Sequence, residues 1–320
     1  MYLLDGFEYY RRDMEMRTLG KTGLQVSRLG FGAAPLGNEY GGMESGEAKR
    51  AIDLAIDSGI NFFDVAPYYG RTLAETRLGE MLKGRRHEVV LATKCARYDL
   101  AGFDFSAERV TRSADESLRR LQTDYLDILH VHDVEFGDKR QIIEETIPAL
   151  RRVQEAGKAR FIGITGLSLR MLREVAAEAP VDCMLTYCRY NLLNTDALAM
   201  NPEGLINASP LHMGLLTPGG PPPWNPAMPI VRETARRIVE FCASRGVSVT
   251  DTALQFALSN QALAATFAGM STTEEVRQNL RAMEGTADPE ILREIEILAA
   301  PARGRIWKAG RPENYDSNME

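Results

Sequence analysis

The chain lacks the marks of a secreted, membrane-spanning or nucleic-acid-binding protein. Its four cysteines, Cys95, Cys183, Cys188 and Cys242, are scattered and form no C-x-x-C pair. That excludes a disulfide framework or thiolate zinc site and reads as free thiols in a reducing cytoplasm. No apolar run is long enough to span a membrane. The opening stretch MYLLDGFEYYRRDMEM has neither the charged start nor the apolar centre of a signal peptide. Positive charge is not in excess: the net charge is −6, with Lys and Arg dispersed. A nucleic-acid stripe and a polybasic membrane patch are thereby excluded. Linkers rich in Pro, Ser and Gly, low-complexity tracts and close internal repeats are missing too. What remains is 320 residues, 44% of them apolar, enough for one large core. Met1–Glu15 reads as an appendage, open to being disordered, with Met16 an alternative start; residues 16–320 read as one domain.

The pattern from Arg17 onward is strand–helix alternation. Arg17–Leu29 has turn chemistry at Gly20–Gly23 between short apolar runs, which predicts a hairpin. Predicted strands follow at Leu29–Ala33, Ile60–Asp64, Val89–Lys94, Tyr125–His132, Phe161–Thr165, Cys183–Tyr187, Leu205–Ser209 and Ala264–Met270. Between and after them, helical periodicity covers Ser45–Ser58 (with Ser45 as cap), Leu73–Leu82, Ser106–Leu121 (capped by Ser106), Ile142–Ala156 and Ser168–Ala179. It resumes at Val231–Arg245, Thr250–Ser259, Thr273–Ala282 and Pro289–Ala299. Eight such units point to a single α/β (β/α)8 TIM barrel with an N-terminal hairpin. The connection between the sixth and seventh strands, Leu192–Glu203, is short, with room for one or two helical turns. GFGAAPLG, starting at Gly30, looks like a dinucleotide fingerprint. It fails, because Pro35 takes the third glycine position and no helix opens there.

Sites of such barrels gather at the C-terminal strand ends. INFFDVAPYYG (Ile60–Gly70) is an apolar strand ending in Asp64, then a turn at Pro67 carrying Tyr68 and Tyr69. Lys94 closes the third strand and His132 the fourth. Each has a bland reading: a strand-end acid capping a loop, a lysine head in solvent, a satisfied structural histidine. Four ionisable groups closing three adjacent strands are harder to explain that way, and together they make a proton device. A tyrosine is a poor acid or base near neutrality. A neighbouring ammonium favours its phenolate. Lys94 can be that neighbour, Asp64 can hold Lys94, and His132 can donate to a substrate oxygen. The set suits a carbonyl/alcohol pair and lacks only a hydride carrier.

His130-Val-His132 invites a metal reading, since i and i+2 on a strand face one way. A barrel metal site would need further histidines on the fifth and sixth strands and an acid on the eighth. Phe161–Thr165, Cys183–Tyr187 and Ala264–Met270 supply none. The expectation is no metal, with His130 a core histidine one layer below His132.

Asp64-x4-Tyr69 with Lys94 and His132 resembles the catalytic tetrad of the aldo-keto reductases. Asp64–Gly70 and the Gly269–Leu280 segment are similar to that family, and the likeness runs from about Arg17 to Ala299. Phe161–Gly166, Asn207–Leu216 and Pro221–Trp224 resemble its NAD-dependent L-galactose dehydrogenases and bacterial L-fucose (D-threo-aldose) dehydrogenases, which oxidise a sugar's anomeric carbon to a lactone. The resemblance implies a nicotinamide cofactor across the C-terminal barrel face. Thr165 and Gly166 stand where the family has Ser-Asn on the carboxamide, and Tyr187 where a Gln is common. Ser209, Leu211 and Gly214 match the pyrophosphate loop. Gly269, Met270, Ser271, Thr272, Gln278 and Asn279 match the adenosine end. Ala208 replaces the aromatic that usually lies under the nicotinamide, so the stacking partner is left open, Tyr187 being one candidate. Glu275 falls where an Arg would grip the 2′-phosphate of NADP, so the expected cofactor is NAD. An NADPH-linked reductase of small aldehydes is the alternative enzyme reading, and a cofactor-sensing binding module the non-enzyme one. The loops Pro35–Met43, Asp133–Lys139 and Thr217–Pro229 and the tail Ile306–Asn314 should rim the pocket. Trp224 and Trp307 could offer ring faces to a small-molecule sugar, or simply pack loops down. The expected location is cytoplasmic, and the oligomeric state is open.

Overall fold

Eight parallel strands close on themselves in the computed structural model, which describes residues 14–200 and 204–320. In chain order the elements begin with a hairpin, β1 (Met16–Thr18) and β2 (Gln25–Ser27), antiparallel as expected. The barrel then starts with β3 (Leu29–Gly32), α1 (Ser45–Asp57), β4 (Phe62–Asp64), α2 (Leu73–Met81), β5 (Val90–Cys95), α3 (Ala107–Leu121) and β6 (Leu126–Val131). It continues through α4 (Lys139–Gln141), α5 (Ile147–Glu155), β7 (Ala159–Gly166), α6 (Leu169–Glu178), β8 (Cys183–Tyr187) and β9 (Leu205–Ala208). The last elements are α7 (Pro229–Ser244), α8 (Val249–Ser259), β10 (Ala265–Gly269), α9 (Thr273–Glu284) and α10 (Pro289–Ala299). Pairing of β10 with β3 closes the ring. Among the described residues, the short connection before β9 holds a 3-10 stretch, Asp196–Met200.

Period-two alternation decides the interior. Phe62, Ala92, Ile128, Cys183, Leu185, Ile206, Ala265 and Phe267 form one buried cluster inside the barrel. Leu19, Leu24 and Val26 of the hairpin join it and plug the N-terminal end. Burial of such side chains contributes about 1.5–3 kcal/mol each. A second layer, with Phe31, Ile52, Phe63, Leu91, Leu129, Ile162 and Ile164 in it, packs strands against helices. Gly30 belongs to this architecture, not to a nucleotide loop. A Cβ there would lie 2.3 Å from the Phe267 ring, so Gly30→Ala forces a core aromatic aside.

Two local expectations need correction. Glu44, not Ser45, caps α1: its carboxylate accepts from Gly46 N and Glu47 N. The helix expected over Ile142–Ala156 opens with a π turn, Ile142–Thr146. Pro148 has no N–H to give to the carbonyl four residues back, so the ladder widens locally. Of the expected appendage, residues 1–13 lie outside the described residues. Glu15 bonds Arg17 and Arg28, and Met14 packs against the core beside Gly59.

Candidate active site

Strand register brings the four predicted residues together at the C-terminal mouth. Asp64 ends β4 and Lys94 is the penultimate residue of β5. Both side chains are buried, because they continue the inward-facing rows Phe62–Asp64 and Ala92–Lys94. A charge there needs a partner. The Lys94 ammonium gives two hydrogen bonds to Asp64, at 2.6 and 2.8 Å, and one to Val65 O at 2.8 Å. Tyr69 reaches in from the β4–α2 loop, its ring centroid 4.9 Å from Lys94 Nζ. His132 follows β6 by one residue, tied by its backbone N–H to Cys95 O. The Tyr69 and His132 rings meet edge-on, centroids 6.0 Å apart.

Electrostatics refine the expected roles. Burial holds His132 well below the usual histidine range, with Lys94, Arg97 and His130 acting the same way. It is therefore a neutral imidazole, and its Nδ1 has no hydrogen-bond partner. Burial pushes the Tyr69 phenol well above its ordinary value, with Asp64 and Asp133 adding to the rise. The pull expected of Lys94 does not prevail: desolvation is the largest cause of the rise, and the ammonium's three hydrogen bonds go to Asp64 and Val65. Asp64 itself is pushed up by burial, against the pull of Lys94. His130 is the expected core histidine, buried in the layer below, and a Cβ on Gly163 would lie 2.4 Å from its Nδ1.

Sequence reasoning missed the support around His132. Asp133, buried and in the left-handed region at φ 52°, is ion-paired with Arg97. Arg97 in turn lies 3.7 Å over the Tyr68 ring. Asp133 Oδ2 is 3.7 Å from His132 Nε2. The only signal available was position, since Arg97 and Asp133 both follow strand ends closely.

The residues expected along the cofactor face divide. Thr165 Oγ1 accepts from Asp133 N at 3.1 Å, beside Gly166 at the end of β7. Half-buried Tyr187 ends β8. Ser209 (φ 59°), His212 (φ 50°), Met213 (φ 52°) and Gly214 (φ 93°) make a tightly coiled loop after β9; such left-handed backbone clusters at ligand clamps. Leu211 leaves that loop to pack against the layer under α7. Gly269 ends β10, while Met270 is fully buried between sheet and helices and Asn279 is buried as well. Gln278 donates across to Asp251 at 3.3 Å. Ser271 and Thr272 lead into α9, where Glu275 completes a capping box, accepting from Ser271 N at 2.7 Å and Thr272 N at 2.9 Å. Glu47, which no pattern marked, takes Thr273 N at 2.7 Å.

The tryptophans stand on different parts of the rim. Exposed Trp224 donates to Glu39 O at 3.0 Å and meets Tyr40 edge-on, so it pins two rim loops together. Half-buried Trp307 is edge-on to His212 and packs in a cluster with Tyr187 and Met213. All four cysteines are buried and free. Among the described residues no group of three or more His, Cys, Asp or Glu is placed to hold a metal, and no helix is long and apolar enough to cross a membrane.

The sequence profile of the aldo/keto reductase family matches residues 28–300. The chain belongs to that family. It is therefore an oxidoreductase that binds a nicotinamide cofactor and a small-molecule substrate. It is 45% identical to an L-galactose dehydrogenase of Arabidopsis thaliana over 317 residues, covering 94% of this chain and 99% of that protein. A D-threo-aldose 1-dehydrogenase of Pseudomonas sp. is 29% identical, over 80% of this chain and 89% of its own. Among solved structures, an aldo-keto reductase from Bacillus halodurans in its holo form superposes with a TM-score of 0.76 at 28% identity, covering 96% of this chain and all of that one.

Proposed function

We propose that this aldo-keto reductase oxidises the anomeric carbon of an aldose of the L-galactose or L-fucose type to the lactone, with NAD. The observation that carries the sugar class is the 45% identity to the L-galactose dehydrogenase across almost the whole of both chains; the D-threo-aldose 1-dehydrogenase supports it.

The site suits the proposed chemistry. Tyr69 takes the proton of the anomeric hydroxyl. Lys94, held charged and oriented by Asp64, favours the phenolate that this requires. Neutral His132 steers the sugar oxygen with a ring nitrogen and cannot be repelled by the Lys94 cation. The Arg97–Asp133 pair and Tyr68 hold His132 in place. NAD, when bound, supplies the hydride acceptor. Residues present fit such a group: the loop Ser209–Gly214 has the left-handed backbone found at ligand clamps, Thr165 and Tyr187 would border the inner end, and Ser271 and Thr272 the outer one. The preference for NAD over NADP rests on Glu275 and Glu47, whose carboxylates already hold the N–H groups of Ser271, Thr272 and Thr273. A 2′-phosphate would meet negative charge and occupied donors there; a 2′-hydroxyl can donate to a carboxylate instead.

The deciding experiment is a screen of NAD reduction with L-galactose, L-fucose and D-arabinose, beside NADPH oxidation with small aldehydes. The expected result is turnover of at least one aldose with NAD. Ready reduction of aldehydes with every aldose inert would make the protein the aldehyde reductase instead. NAD binding without turnover of any substrate would favour a cofactor sensor.

A further inference from the structure

The turn after β7 is gripped from two sides. Leu167, next to Gly166, gives its N–H to Glu135 Oε1 at 2.9 Å, and its carbonyl accepts from Arg189 Nε at 2.8 Å. Glu135 and Arg189 are both fully buried. The same distant segment holds the Glu135 backbone and pairs the Arg189 guanidinium, which as a buried charge needs a partner. Arg311 N and Asn314 Nδ2 each donate to Glu135 O at 2.9 Å, and Asn314 Nδ2 also donates to Gly137 O. Arg189 is ion-paired with Asp316, and with Asp196 at 3.2 Å. Asp316 does more. Its carboxylate accepts from Ser168 Oγ at 2.8 Å, Leu169 N at 3.0 Å and Arg170 N at 2.9 Å. It thus satisfies first-turn donors of α6 that helix geometry leaves open, and it places negative charge at the positive end of that helix. Ser168 Oγ is also held by Asn314 O at 2.8 Å. Every polar handle of the Leu167–Arg170 turn named here leads, directly or through one buried side chain, to Arg311–Asp316.

We infer that the segment Arg311–Asp316 is a positioning element for the nicotinamide end of the cofactor site, with Asp316 as its anchoring residue. The inference rests on the proposed placement of Thr165, Gly166 and Tyr187 beside the nicotinamide. Thr165 and Gly166 directly precede the gripped turn, and Tyr187 lies two residues before Arg189. Loosening Asp316 releases Arg189 and the α6 first turn from the carboxylate they share, and lets the ends of β7 and β8 shift. Residues at the adenosine end, on β10 and α9, share none of these bonds.

That asymmetry defines the test. Dissociation constants of NAD and of ADP-ribose, which lacks the nicotinamide, are measured by calorimetry for the unmodified protein and for Asp316→Asn. Loss of a charged, buried hydrogen-bond network should weaken NAD about tenfold while ADP-ribose changes less than about twofold. Asp316→Glu, which keeps the charge, should recover part of the loss. Equal weakening of both ligands, or of neither, overturns the inference. Thr165→Val separates the two layers of the argument. If it shifts the NAD to ADP-ribose ratio and Asp316→Asn does not, the placement stands and the positioning role falls. If neither shifts the ratio, the placement itself falls and the inference with it. Should Asp316→Asn not yield folded protein, Arg189→Lys, which keeps the charge and loses the Nε bond to Leu167, is read by the same ratio.

Discussion

Lys94 faces Tyr69 with its ammonium 4.9 Å from the ring centroid, yet its hydrogen bonds go to Asp64 and to Val65 O. The cation is close enough to bias the phenol without bonding it in this state.

Tyr69→Phe removes only the hydroxyl and keeps the ring contact with His132. Folding and NAD binding should survive, while kcat falls at least about a hundredfold, the usual scale of general acid–base loss. Tyr68→Phe is the control, since its ring also packs edge-on to His132 and under Arg97. It should keep most activity. Steady-state rates with NAD and the preferred aldose check this, and the assignment is wrong if the two variants behave the other way round.

The pH profile follows from the direction of the Tyr69 shift. Burial keeps the phenol protonated well past its ordinary value, and sugar oxidation needs it deprotonated. The rate of oxidation should therefore climb with pH through the neutral and alkaline range. Lys94→Met leaves Asp64 facing Tyr69 with no cation between them, which disfavours phenolate further. Activity should drop steeply and the climbing limb move to higher pH. A variant with an unchanged kcat/KM profile would contradict this.

Buried neutral histidines make the fold acid-sensitive. Burial draws His130 down to about 3 and His212 to about 4. Each is neutral in the fold but protonates at about 6.5 once unfolded. The stabilisation of the neutral form is fully present above that value and is lost as pH falls. Burial raises Glu135 to about 8, which has the opposite sign: its contribution fades as pH rises from about 4.5. A single variant isolates one group from this sum. Between pH 6 and 5, urea unfolding of the unmodified protein should show a slope steeper by about one proton than His130→Leu, about 1.4 kcal/mol per pH unit. Parallel slopes would show that His130 is protonated in the fold.

Cofactor choice should follow the acids at the start of α9. The expected preference for NAD over NADP in kcat/KM is more than about tenfold, or about 1.4 kcal/mol. Glu275→Arg should narrow or reverse it, because Arg matches phosphate oxygens bidentately. The substitution also removes the bonds to Ser271 N and Thr272 N, so NAD affinity should weaken as well. Unmodified protein that uses both cofactors equally refutes the preference. An unchanged ratio in Glu275→Arg shows that this carboxylate is not at the ribose.

The sequence by itself determined the barrel and the identity of its four clustered residues, because both are local facts. Alternation of two periods marks strands and helices, and a charged residue that ends an apolar run must lie at a strand end. Closure of the ring then places adjacent strand ends together, so Asp64, Tyr69, Lys94 and His132 were legible before any coordinates. Tertiary structure alone decided how those residues are tuned and braced. Pro35 had already ruled out a nucleotide loop at Gly30, but only the fold shows Phe267 packed where a Cβ there would go. The Tyr69 phenol is raised because burial outweighs a neighbouring cation, a balance that depends on every surrounding wall. Glu47 meets Thr273 across 226 positions and Arg189 meets Asp316 across 127. No periodicity connects such pairs, because their proximity is created by barrel closure and by the path of the closing segment over the mouth.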